Sequence, residues 1–243
     1  MESTRSDAVR LRRPFAVVIL VAAAISNAGA EGAILEPCRT TTAGYRSEVQ
    51  RLLGGNKTGE TVDLSAFVYP AFAPEWSIAV VETASGSKVV RSEFAGSYWA
   101  SGWRRAGDNG RLWDPSIAHG EATTRDRPIS QALARTLRQA WEISLSRLED
   151  RRVLGFDGIT YQFKTASGKC GETWSPELAA MSMPDQLARL AFELKILAGM
   201  RVEPDATERE HKILELATTF VREFGGPGPK SGRKRQLDRA LRN

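Results

Sequence analysis

The residues of this chain best suited to chemistry stand between Phe94 and Glu121, where Phe94, Tyr98, Trp99, Trp103 and Trp113 are interspersed with Asp108, Asp114, His119 and Glu121. Exposed indole rings stack on sugar or peptide faces, and nearby carboxylates bond hydroxyls or act as an acid and base pair. Trp113, Asp114, His119, Glu121 and Trp103 are therefore the candidate binding residues, and an envelope glycan, peptide or protein is the class of partner they suit. Rings of this size also fill cores. Trp99 and Trp103 are expected to cover a sheet, and Trp113, close to Arg111 and Asp114, is expected to be the exposed ring.

Other catalytic signatures fail on named residues. His119-Gly120-Glu121 has the His-x-Glu of zinc deaminases but no Pro-Cys-x-x-Cys to supply thiolate ligands. His211, between Glu210 and Lys212, belongs on a solvated helix surface. Gly54-Gly55-Asn56-Lys57-Thr58 looks like a phosphate loop, but Asn56 stands where glycine must precede the lysine. Asp108 to Asp114 has too few alternating oxygen ligands for calcium. No metal site and no cofactor is expected, no catalytic residue can be assigned, and the balance leans away from an enzyme.

The elements that must position these residues follow from periodicity. Thr42 to Leu53 places Tyr45, Val49 and Leu52 at helical spacing, with Gly54-Gly55 as a stop. Thr61 to Tyr69 alternates, with Val62, Leu64, Ala66 and Val68 on one face; Trp76 to Thr83 and Lys88 to Trp99 pair around Ser85-Gly86-Ser87. Ser101 to Arg127 reads as one long loop. Pro128 opens a helix with Leu133, Leu137 and Trp141 on one stripe, ending near Asp150. A second hairpin turns at Asp157-Gly158, with Ile159, Tyr161 and Phe163 after it. Ser182 with Asp185 and Asp205 with Glu208 start two last helices, ended by Gly199 and Gly225-Gly226. This order is not that of parallel crossover units, so the fold class is α+β: an antiparallel sheet of about four or five strands, in two hairpins, packed by three or four helices.

Compartment is legible from the first residues. Arg5, Arg10, Arg12 and Arg13 precede the apolar block Phe15 to Ile25, and Ala28-Gly29-Ala30 follows, the order of a secretory signal peptide cleaved after Ala30. As a helix that block spans roughly 16 Å, whereas a membrane span needs about 20 residues, so an uncleaved leader tethering the chain to the inner membrane is the weaker alternative. Arg12-Arg13-Pro14-Phe15 loosely matches a twin-arginine signal; general export is preferred. In a periplasmic or secreted protein, Cys38 and Cys170 are expected to form a disulfide, and closing that loop of about 130 residues contributes about 4 to 5 kcal/mol on the chain-entropy model.

The net charge of +5 belongs to the two ends. The leader is basic, and Lys230, Arg233, Lys234, Arg235, Arg239 and Arg242 stand against Asp238 alone, which leaves the middle of the chain slightly acidic and argues against nucleic acid. Lys230, Arg233, Lys234 and Arg235 suit weak contact with a membrane surface. The organisation expected is a signal peptide at 1–30, one α+β domain at 31–225 and a basic flexible tail at 226–243. The function expected is that of a non-catalytic binding or accessory domain of the bacterial envelope, with a hydrolase of envelope polymers using loop carboxylates as the alternative.

Overall fold

The computed structural model describes residues 35–38, 43–54, 60–106, 110–114, 116–150, 158–175 and 180–226. The expected signal peptide and its cleavage site, the phosphate-loop lookalike beyond Gly54, Asp108, Asp157 and the basic tail beyond Gly226 lie outside the described residues.

Strands β1 (Glu36–Pro37), β2 (Thr61–Pro70), β3 (Trp76–Thr83), β4 (Gly86–Phe94), β7 (Ala122–Ile129), β8 (Ile159–Thr165) and β9 (Cys170–Trp174) form one sheet in the order β1-β9-β8-β2-β3-β4-β7. Every neighbouring pair is antiparallel. Strands β5 (Trp103–Ala106) and β6 (Gly110–Trp113) make a separate hairpin. The α+β class and the antiparallel sheet are thus present, but the sheet has seven strands where four or five were expected.

The surplus strands escaped notice because they lack alternating apolar residues. β1 has two residues, and β7 reads Ala-Thr-Thr-Arg-Asp-Arg-Pro-Ile, almost wholly exposed. Both are edge strands, where charge and proline discourage further pairing and no second face needs apolar cover. Pro128 therefore belongs to β7, opposite Lys88, and does not open a helix. The expected loop from Ser101 to Arg127 is likewise replaced by the β5–β6 hairpin and most of β7. Gly158, left-handed at φ 124°, precedes β8; the β8–β9 hairpin instead turns through Gly168 at φ 82°.

Four helices of more than one turn flank the sheet: α1 (Ala43–Leu53), α3 (Gln131–Leu145), α4 (Met183–Gly199) and α5 (Glu203–Phe224). α3 starts where the Ser130 hydroxyl accepts from the Leu133 N–H, and α4 where Ser182 accepts from that of Asp185. α3 ends at Leu145, short of Asp150, and α5 begins two residues before Asp205, with Pro204 in its first turn and no side-chain cap. α3 and α4 lie on the sheet and α5 packs on both. Leu64, Ala66, Val68, Ile78, Val80 and Phe163 from the sheet meet Leu133, Leu137, Trp141, Leu187 and Leu194 in the main core.

The opposite sheet face carries α1 and a smaller core of Val49, Leu53, Phe67, Tyr69, Phe94 and Tyr98. A bulge in β2 between Val62 and Leu64 shifts the register, so Val62 lines a hollow with Ser65 and Phe67 instead of joining Leu64 in the main core. Cys38 and Cys170 form the expected disulfide, Cα to Cα 5.4 Å, tying β1 to β9. Among the described residues no helix is long and apolar enough to cross a membrane.

Candidate functional site

The β2–β3 connection and the β4–β7 connection leave the sheet at the same end, because Val68, Trp76 and Glu93 stand in one register row and Phe94 faces Ala122. The second connection holds all the candidate residues. It begins with α2 (Tyr98–Ser101), a single turn capped by Ser97, continues through the β5–β6 hairpin and returns through Asp114 to Glu121.

Its attachment point is Glu75, a residue the sequence reading did not single out. Glu75 is fully buried, and its carboxylate accepts from the Tyr45 hydroxyl at 2.5 Å, the Tyr98 N–H at 2.7 Å and the Trp99 N–H at 2.8 Å. Two of these donors are the open N–H groups at the start of α2, which a helix leaves without internal partners. Burial, then the charge of Glu75 and its hydrogen bond, push the Tyr45 hydroxyl far above the ordinary phenol range, so it stays a donor. The only sequence sign of Glu75 is a lone acid after Pro74 between two apolar strands.

Aromatic rings close over this carboxylate. Tyr45 meets Trp99 at 4.7 Å and Trp113 at 5.4 Å, both edge-on, and Trp99 stacks on Trp113 at 6.0 Å. Phe94 stacks on Tyr98 at 4.9 Å. The Trp113 indole N–H donates to the Trp99 carbonyl. Trp113 is thus half-buried against Tyr45 and Trp99, and Trp103 is the exposed ring of the pair, edge-on to Trp99. The two roles are the reverse of those expected, because cross-strand register puts Trp113 opposite Trp103 and α2 draws Trp113 inward.

The polar candidates do not converge. Asp114 accepts from the Ser116 hydroxyl and N–H and pairs with Arg104 at 2.7 Å; the Ser116 bonds, then Arg104, hold its carboxyl below the usual value. His119 is exposed, with Nδ1 3.1 Å from the Ile117 carbonyl and its own N–H and C=O bonded to the Ser101 hydroxyl. Glu121 is exposed, and its carbonyl accepts from the Ala95 N–H where the connection rejoins the sheet. Two hollows, of about 440 and 390 Å³, lie beside β2 to β4 and between α4 and α5; neither is lined by Trp113, Asp114, His119 or Glu121. Among the described residues no group of three or more His, Cys, Asp or Glu side chains could hold a metal ion.

A second polar cluster sits under α1. Arg46 pairs with Glu172 at 2.7 Å, and Gln50 donates to the Tyr69 hydroxyl and to Gln162 while accepting from Lys164. Burial pulls the Lys164 ammonium below its ordinary pKa and raises that of the Tyr69 hydroxyl. These partners satisfy one another and fasten α1 to β2, β8 and β9. Comparison with known protein families, curated proteins and solved structures gave no significant match.

Proposed function

We propose that the chain is an exported, non-catalytic binding or accessory domain of the bacterial envelope, made of a cleaved leader at 1–30, one α+β domain at 31–225 and a basic tail at 226–243. The observation that carries this reading is the Cys38–Cys170 disulfide, which leaves no free cysteine among the described residues. A bridge between strands so far apart in the chain belongs in an oxidising compartment, since cytosolic reductants keep thiols open. The charged, apolar, small-residue order of residues 1–30 supports the same compartment.

The arrangement of the loop carboxylates supports binding over catalysis. A general acid must hold a proton near neutral pH, whereas Asp114 is kept ionised by Ser116 and Arg104. Trp103, exposed, with Glu121 and His119 on the same connection, offers a stacking ring and polar edges to a glycan or peptide.

The test is chemical analysis of the chain recovered from a producing cell. The product is expected in the envelope fraction, beginning at Glu31, with no titratable thiol after denaturation without reductant. An intact Met1 together with two free thiols in a soluble cytoplasmic product would overturn the reading.

A further inference from the structure

The face of the central strands turned away from α3 and α4 is built from small side chains. β2, β3 and β4 direct Leu64, Ile78, Val80 and Val89 into the main core, while Ser65, Ser77, Ala79 and Ser92 line a hollow on the other face. Cross-strand register sets Ser65 opposite Ala79 and Ser77 opposite Ser92, so the four form one patch. Side chains this short leave a hollow of about 440 Å³ between the patch, Phe67 and the end of α1 at Leu53. Small-molecule sites measure about 300 to 1,000 Å³. Half-buried Ala79 and Val90 lie where the hollow opens to solvent.

The three serines differ in what they have left to offer. Ser77 donates its hydroxyl proton to the Leu53 carbonyl at 3.0 Å, and Ser92 shares a hydrogen bond with the Thr124 hydroxyl at 3.1 Å. Ser65 is only 7% exposed, yet its hydroxyl has no hydrogen-bond partner among the described residues. Among those residues every fully enclosed side-chain oxygen has a partner, so the Ser65 Oγ opens into the hollow it lines. A hydroxyl so deep in a sheet is ordinarily paired, because burying it alone is costly.

We infer that this hollow binds a small uncharged alcohol or phenol, its apolar body against Phe67, Val62 and Val90 and its hydroxyl over Ser65 and Ser77. The Ser65 hydroxyl is free to donate, whereas Ser77, its proton committed to Leu53, presents only lone pairs. The two are diagonal neighbours on adjacent strands, and a ligand hydroxyl accepts from the first and donates to the second. Charge selects against an anion. Glu60 also lines the hollow, and Lys88 is engaged by both Glu60 at 2.5 Å and Asp126 at 2.9 Å, so an anionic ligand would meet two carboxylates and no unengaged cation from this trio. The inference goes beyond the envelope reading and is independent of the compartment.

The test is titration of the nitrogen-15-labelled full chain with phenol, with toluene as the counterpart lacking the hydroxyl and benzoate as the charged one, followed by amide chemical shifts. Phenol is expected to shift the amides of Ser65, Ser77, Ala79 and Ser92 saturably and to bind more tightly than toluene or benzoate. Ser65→Ala should weaken phenol about threefold to tenfold, the worth of one hydrogen bond, and leave toluene unchanged. Ala79→Leu, which fills the hollow, should abolish phenol binding. Ser65→Ala removes one oxygen only and keeps the inference falsifiable should Ala79→Leu fail to fold. Phenol shifts scattered over the surface would overturn the inference. So would equal phenol affinity in wild type and Ser65→Ala, or benzoate binding as tightly as phenol. None of these results bears on the thiol content or the N-terminus, so the two readings fail separately.

Discussion

A carboxylate taken wholly out of water is tolerated only where donors replace the water, and Glu75 has three: one phenol and two backbone N–H groups. Replacing Glu75 by alanine leaves the Tyr45 hydroxyl and both N–H groups without acceptors. At about 1 to 3 kcal/mol for each unpaired buried group, Glu75→Ala is expected to lower unfolding free energy by about 3 kcal/mol or more. Urea unfolding followed by far-ultraviolet circular dichroism measures it, and a loss below about 1 kcal/mol would mean that water reaches the donors. The sequence hid this residue for a physical reason. Its donors stand 30 residues before it and 23 and 24 after it, so no local spacing marks it. Tyr45, by contrast, fell on the apolar stripe of α1 as expected, although its hydroxyl was not assigned a role.

At the scale of elements, the strongly periodic segments were read well and the edges were not. α1, β2, β3 and α4 agree with expectation within a residue or two, because each buries a continuous face against the sheet or helices. β7 and the β5–β6 hairpin bury little, so their sequences carry turn and charge signals instead. What shapes the hairpin is close approach: a Cβ on Gly102 would run into the Trp113 indole. Gly102→Ala is expected to cost about 1 to 3 kcal/mol through overpacking and to shift tryptophan emission to longer wavelength as Trp113 is pushed outward. An unchanged emission spectrum would show that the ring does not rest on that glycine. Gly171 is similar in the main core, where a Cβ would meet Leu145 and Leu148 at 2.7 Å.

For the molecule as a whole the disulfide decides how the first described residues are held. β1 contributes only Glu36 and Pro37 to the sheet, and fully buried Leu35 before them fills the core beside Gly171. Two residues of pairing cannot hold an edge strand alone, and the covalent bond to Cys170 fastens it. Cys38→Ser with Cys170→Ser is expected to cost about 4 to 5 kcal/mol for so long a closed loop. Guanidinium unfolding without reductant, compared with wild type, measures this, and a loss under about 1 kcal/mol would show that Leu35 and its strand hold without the bond.

The sequence by itself determined the fold class, the main helices and central strands and the pairing of Cys38 with Cys170, because each depends on local periodicity or on simple counting. It also set the candidate residues on one connection. Only the tertiary structure decided that Trp113 packs inward while Trp103 faces water, that Asp114 is occupied by Arg104 and Ser116, and that Glu75 anchors the whole connection. Those outcomes depend on which residues from distant strands share a register row and compete for the same donors, and such competition leaves no local pattern in a chain.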